Sequence, residues 1–289
     1  MSETPPAGTP PTDLDIARVA ARAYELDRYL AALLASPPLR NDLIALAAFA
    51  GEVARIPPLV TEPMMGEIRL QWWRDAIENS DPSARTGHPV ADLMRATVAR
   101  HRLPLGLLLG FIDAHAGHLY DTPLPDEAAL RAYLARTEGA LFELGLRIPG
   151  RSDLPAPEFA ATAGHAYGLV RSLTELPALW SQGRTLIPAS RLTAAGVSIA
   201  ELRRESLGPA LASVLRDLMS EARDALAATR RMTANLPRAQ RVAVLPVALV
   251  EPYLRALEKA ERNPFHDLAE LSPLARIWPL FWSHLSGRL

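Results

Sequence analysis

From Asp13 onward, apolar residues recur every third or fourth position, and nowhere do they alternate in the period of two that a half-buried strand requires. In the first such segment Ile16, Val19, Ala20, Ala23, Leu26, Leu30, Leu33 and Leu34 form one stripe, with Thr12 or Asp13 placed to cap its start. Proline supplies the punctuation. Pairs at Pro37–Pro38 and Pro57–Pro58 stop helices, because proline lacks an amide proton and its ring crowds the preceding turn. The intervening segments predict helices over about 13–35, 40–55, 62–79, 90–100, 105–120 and 126–147. Others follow from 158 with a weak point near Pro177, over 209–232 and 238–262, and from 273. No fixed-period repeat occurs, and the loop 147–157 is too short for a linker. The expectation is one all-α domain over 13–289, preceded by a disordered tail at 1–12.

Composition narrows the function classes. A formal net charge of −1 over 289 residues gives none of the basic excess that nucleic-acid binders carry, so no nucleic-acid partner is expected. Lys259 is the sole lysine, so nearly every cation is an arginine, a rigid fork suited to carboxylates and phosphates. The absence of cysteine excludes disulfides, thiolate metal sites and cysteine nucleophiles. No apolar run approaches the roughly 18 residues of a spanning helix, and residues 1–12 lack the core of a signal peptide. The expected location is cytoplasmic, at most peripheral on the inner face of a membrane.

Isolated motifs carry little. His115 and His118 share a helical face, with Asp113 and Asp121 nearby in sequence, and could hold a metal, but read better as a solvated helix end. Asp217, Glu221 and Asp224 beside Arg216, Arg223 and Arg230 read as a salt-bridged outer face. Trp278, Phe281 and Trp282 are expected in the core, with an interfacial or partner-binding helix as the alternative. No Gly-rich phosphate loop, GxSxG, HExxH or CxxC occurs.

Three longer stretches say more: RYLAALLASPPLRNDLIALAAFAGEVARI, EPMMGEIRLQWWRDAI and GHAYGLVRSLTELPALWSQGRTLIPASRL. In this order they resemble the squalene/phytoene synthase family, from about residue 15 to 285. The resemblance implies an isoprenoid synthase-type helical bundle around a central apolar cavity. Catalytic members condense two prenyl diphosphates, and ionising a diphosphate calls for magnesium held by two motifs of paired aspartates on facing helices. Counting from Phe49 places the first pair at Ala54 and Pro58. Anchoring on Gly183–Arg184 and Pro188 places the second at Glu175 and Leu179, with Arg171 one turn earlier. One carboxylate of four remains, and no metal site is expected.

That loss resembles a non-catalytic branch of the family, which includes a mitochondrial factor for assembly of respiratory complex I. The resemblance implies a role in assembling NADH:quinone oxidoreductase, with complex I subunits or assembly intermediates as partners. The arginines in and near the two degenerate motifs suggest a prenyl or lipid-like ligand in the cavity, with Glu52, Arg55, Arg74, Arg171 and Arg184 as the candidate binding residues, without metal. The bland reading, which carries more weight, is that these arginines pair with Glu52, Glu67 and Glu175 as a closed structural network. No catalytic residue and no cofactor belong to either reading. The alternative is an active prenyltransferase using magnesium on the displaced carboxylates Glu52, Glu62, Glu67 and Glu175. A third reading is a scaffold whose tunnel is filled by side chains.

Overall fold

The computed structural model describes residues 11–79, 81, 84–120, 122–150, 156–182, 184–198, 207–233, 236–259, 263, 265 and 267–289. Most of the expected tail, the anchor Gly183 and Asp121 lie outside these. Among the described residues there is no strand. Thr12 and Asp15 form a reciprocal capping box that starts α1 (Asp13–Tyr24). The chain breaks at Glu25 (φ −135°, ψ 52°) and resumes as α2 (Leu26–Leu33). No Pro or Gly between 13 and 35 marks that break, so the single helix expected there is corrected to two. Pro37 and Pro38 occupy the first turn of α3 (Pro37–Ala54), where the missing amide protons cost nothing. A short α4 (Ile56–Leu59) carries Pro57 and Pro58, and α5 (Pro63–Glu78) carries the tryptophan pair.

Next come α6 (Pro89–His101), α7 (Leu105–Ala116) and a 3₁₀ turn (Gly117–Leu119). The helix expected over 126–147 is interrupted: α8 (Glu127–Leu134) and α9 (Ala140–Arg147) are joined by a π turn (Ala135–Gly139). After α10 (Ala156–Thr174), α11 (Leu176–Ser181), α12 (Ala189–Ala194) and α13 (Pro209–Thr233) comes α14 (Arg238–Val244). Pro246 turns the expected single helix there into a 3₁₀ segment (Leu245–Leu249) before α15 (Val250–Leu257). The last helix is α16 (Pro273–Ser286). Among the described residues no helix is long and apolar enough to cross a membrane.

The axis of the bundle is α10, which packs against α8, the π turn, α9, α13 and α15. Gly164 makes this packing possible. A Cβ there would lie 2.4 Å from the amide nitrogen of Gly139, so α10 and the π turn touch backbone to backbone. Gly164, Gly168, Arg171 and Glu175 follow one another on the same face of α10, so the close contact leads directly into the charged end of the helix. In the core, Phe49 meets Trp73 edge-on at 5.5 Å and Phe111 at 5.8 Å. Trp72 stays partly exposed against Trp73 and His88.

The terminal helix reverses the expectation for its aromatics. The side that docks, onto α2 and the 3₁₀ segment Leu245–Leu249, carries Arg276, Leu280 and Ser283. There Arg276 reaches Asp27 at 3.0 Å, and Asp27 also accepts from Tyr167 and Tyr253 at 2.9 Å each. Leu274, Ile277, Trp278, Phe281, Trp282 and Leu285 all face out, Trp278 being 63% and Trp282 59% exposed. The buried Asp27 needs a cationic partner, and the side of α16 that supplies it must turn inward.

The glycine contact yields a paired test. Gly164→Ala should destabilise by about 2–3 kcal/mol, because neither backbone can yield to a Cβ. Gly106→Ala, with open space around it, should gain about 0.5–1 kcal/mol from helix propensity. Urea unfolding midpoints at constant m-value measure both, and equal effects would refute the close contact.

Candidate functional site

The two degenerate motifs meet. Ala54 and Pro58, from the end of α3 and from α4, line a cavity of about 390 Å³ together with Glu175 and Leu179, from the junction of α10 and α11. Arg55, Arg171 and Arg184 line the same cavity. Two expected members lie elsewhere. Glu52 is not in the wall, but holds Arg55 from behind at 2.8 Å. Arg74 is corrected away from the site: it pairs with Asp113 at 2.5 Å over a separate groove between α5 and α7. A cavity of this size also contradicts the reading of a tunnel filled by side chains.

At one wall of the cavity the pairing of Arg171 with Glu175 is joined by two further glutamates, Glu25 and Glu138. Arg171 Nη1 lies 2.6 Å from Glu25 Oε1 and 3.3 Å from Glu138 Oε1, and its Nε lies 3.3 Å from Glu175 Oε1. Arg28, stacked 4.5 Å over the Phe142 ring, bridges the same Glu25 (3.4 Å) and donates to Glu138. Burial pushes the Glu25 carboxyl above its ordinary value, against the pull of Arg171. Burial works the same way on Glu138, but Arg171 and Arg28 outweigh it and hold that carboxyl below the ordinary value. Burial opposes the charge of Arg171 too, and its glutamate partners outweigh that and keep it protonated.

Glu25 stands at the break between α1 and α2, and Glu138 inside the π turn. No Pro or Gly marks the first irregularity, and neither glutamate stands out in the sequence. The one available signal was Gly164 and Gly168, which mark where another backbone comes close.

Residues 21–277 match the family model for squalene/phytoene synthase. The chain belongs to the squalene/phytoene synthase family. Its similar curated relatives include NADH dehydrogenase (ubiquinone) complex I, assembly factor 6 of Bos taurus, 29% identical over 245 residues, 85% of this chain and 74% of that protein. The Drosophila melanogaster homolog of that factor is 26% identical over 275 residues, covering 92% of this chain and 81% of its own. Among solved structures, a dehydrosqualene synthase in complex with ligand superposes with TM-score 0.76 at 15% identity, covering 95% of this chain and 97% of its own. Squalene synthase HpnC from Alicyclobacillus acidocaldarius gives 0.72 at 18%, covering 88% and 95%. These similarities establish the all-α isoprenoid synthase fold.

For a squalene/phytoene synthase family member, the residues present do not fit magnesium. Ala54, Pro58 and Leu179 offer no oxygen ligand, and Glu175 is engaged by Arg171. The other displaced carboxylates do not gather: Glu52 pairs with Arg55, Glu67 accepts from Tyr120 on the outer groove, and Glu62 precedes α5 at the surface. Among the described residues, no group of three or more His, Cys, Asp or Glu side chains is placed to hold a metal ion. The glutamates that do converge enclose a guanidinium, a cation that is part of the chain and does not exchange.

The histidines correct a second expectation. Instead of a solvated helix end, α7 and its 3₁₀ turn direct His115 and His118 into the cavity wall, while Asp113 points outward to Arg74. His115 Nδ1 lies 2.9 Å from the Phe111 carbonyl, and His118 stacks on Tyr133 at 4.6 Å. Burial lowers His115 to about 4 and His118 to about 3, so both are neutral near pH 7. The stripe of Asp217, Glu221 and Asp224 is also no metal site. Glu221 binds His165 (2.7 Å) and Arg191 (2.9 Å), and those hydrogen bonds, His165 foremost, outweigh burial and lower its carboxyl to about 2.

Arg171→Leu would leave Glu25 and Glu138 facing each other with only Arg28 between them. The expected loss is about 3 kcal/mol at pH 7, shrinking toward pH 5 as Glu25 takes up a proton. Urea unfolding at the two pH values checks this, and a loss under about 1 kcal/mol at pH 7 would show that the cluster carries little of the fold.

Proposed function

We propose that this chain is a non-catalytic member of its family that assists assembly of NADH:quinone oxidoreductase. It binds a complex I subunit or assembly intermediate and holds a lipid-like ligand in its cavity. One observation carries the reading: curated relatives that align with 85% of this chain are named as complex I assembly factors. The cavity supports the non-catalytic half, because ionising a diphosphate needs mobile metal charge at positions that here hold Ala54, Pro58 and Leu179. Deleting the gene should abolish NADH:quinone oxidoreductase activity in membranes while other dehydrogenases persist, with rescue by the intact gene; an unaffected complex would refute the role. Purified protein given farnesyl diphosphate and magnesium should release no pyrophosphate above a heat-killed control. Release would overturn the non-catalytic half alone.

The same reading places the protein on the cytoplasmic side, peripheral to the inner face of the membrane, with α16 as the contact. Its exposed face combines Trp278, Phe281 and Trp282 with Leu274, Ile277 and Leu285, a composition suited to the headgroup boundary. The helix contains no acidic residue, and its end carries His284, Arg288 and, packed on Gly287, Arg241, which suits anionic lipid. The chain should sediment with vesicles containing phosphatidylglycerol, and Trp278→Ser with Trp282→Ser should release it at unchanged thermal stability. Equal sedimentation of that variant would exclude the helix as the contact.

A further inference from the structure

The charged groups of the cavity are already committed to one another. Arg171 is surrounded by Glu25, Glu138 and Glu175. Arg55 is paired with Glu52 and lies 4.8 Å over the Tyr24 ring, and Arg184 donates to the His118 carbonyl. An anionic headgroup would have to separate pairs that exist and would meet three glutamates on arrival. The two histidines offer it no cation, being neutral near pH 7.

The hydrogen-bonding capacity left over is uncharged. The Tyr133 hydroxyl, the His118 imidazole, the His115 Nε2 and the Gln182 amide all line the cavity, and none has a hydrogen-bond partner among the described residues. His115 fixes its own tautomer. Its Nδ1 must carry the proton to face the Phe111 carbonyl, which leaves Nε2 as an acceptor. Tyr133 stays a donor, because burial raises its phenol further above the physiological range. Tyr133 and His118 also line an adjoining cavity of about 130 Å³, which shares Leu179, Arg184 and Leu186 with the first. Apolar side chains, among them Phe111, Leu134 and Leu141, supply much of the remaining wall. A cleft with largely apolar walls and a few polar groups is the usual make-up of a small-molecule site. Polar groups that face such a space can exchange water for the oxygen of a matching ligand.

We infer that the cavity binds an uncharged amphiphile, whose hydroxyl or carbonyl oxygen is held by Tyr133, His118 and His115 and whose hydrocarbon part lies along Phe111, Leu134 and Leu141. This rests on the reading of a lipid-like ligand proposed above and gives it a chemical class. A carbonyl oxygen accepts from the Tyr133 hydroxyl or the His118 N–H, and a hydroxyl additionally donates to His115 Nε2. A diphosphate finds neither free cation nor metal there.

Calorimetric titration of the purified full chain with four probes tests the assignment. Farnesol carries a hydroxyl, geranylacetone a carbonyl, farnesyl diphosphate the same tail as farnesol with an anionic head, and farnesene no oxygen. Farnesol or geranylacetone should bind at least about tenfold more tightly than farnesyl diphosphate and farnesene, and which of the two binds better separates hydroxyl from carbonyl. Tyr133→Phe, which deletes one oxygen and leaves the ring, should weaken the preferred probe about tenfold at unchanged thermal stability. Arg55→Ala should leave that affinity within about twofold. Preference for the diphosphate, equal binding of the hydrocarbon, an unaltered Tyr133→Phe variant, a strong loss in Arg55→Ala, or no binding of any probe would each overturn it. The gene deletion reports on the assembly role without reference to these probes, so either conclusion can fail while the other stands.

Discussion

The Arg171 guanidinium connects three places where the helices are irregular. Glu25 reaches it from the break between α1 and α2, Glu138 from the π turn, and Glu175 from the junction of α10 and α11. A carboxylate removed from water costs several kcal/mol unless a cation and hydrogen bonds compensate it. The three irregularities are therefore coupled, since each brings a carboxylate to the same guanidinium. Arg28 extends the arrangement by sharing Glu25 and Glu138. The close contact of Gly164 with Gly139 brings α10 near enough for Glu138 and Arg171 to meet.

A structural cation at this position changes what the fold can do. In a metal-dependent relative, the charge at the mouth of the cavity would be mobile, exchangeable and able to follow a leaving group. Here it is covalently part of the chain and already neutralised, with Arg55 and Arg184 engaged as well. What remains is a cleft whose charges are paired with one another, with apolar side chains and neutral donors and acceptors along the rest of its wall. Such a space suits binding better than ionisation chemistry, and it fits the names of the curated relatives better than those of the solved synthases that share its fold.

The outer surface follows the same logic of compensated charge. Asp27 collects Tyr167, Tyr253 and Arg276, and by drawing Arg276 inward it commits the side of α16 that carries Arg276, Leu280 and Ser283 to the bundle. The apolar side, with Trp278 and Trp282, is left facing out. A helix turned this way needs another surface to cover it, whereas a helix held by its apolar side would not.

Much of this was legible in the sequence. Helical periodicity and proline positions determined an all-α chain and most helix ends, because both act through the local backbone. The resemblance to the family's motifs placed Ala54, Pro58, Glu175 and Leu179 at the degenerate aspartate positions, and the cavity unites all four. The sequence did not determine where Glu25, Glu138, His115 and His118 point, which way α16 turns, or that Arg74 lies outside the site. Those outcomes depend on partners far away along the chain, 146 residues for Arg171 and Glu25 and more for Arg276 and Asp27. Local propensity is summed over neighbours in sequence, whereas the compensation of a buried charge is decided by neighbours in space, and only the tertiary structure supplies those.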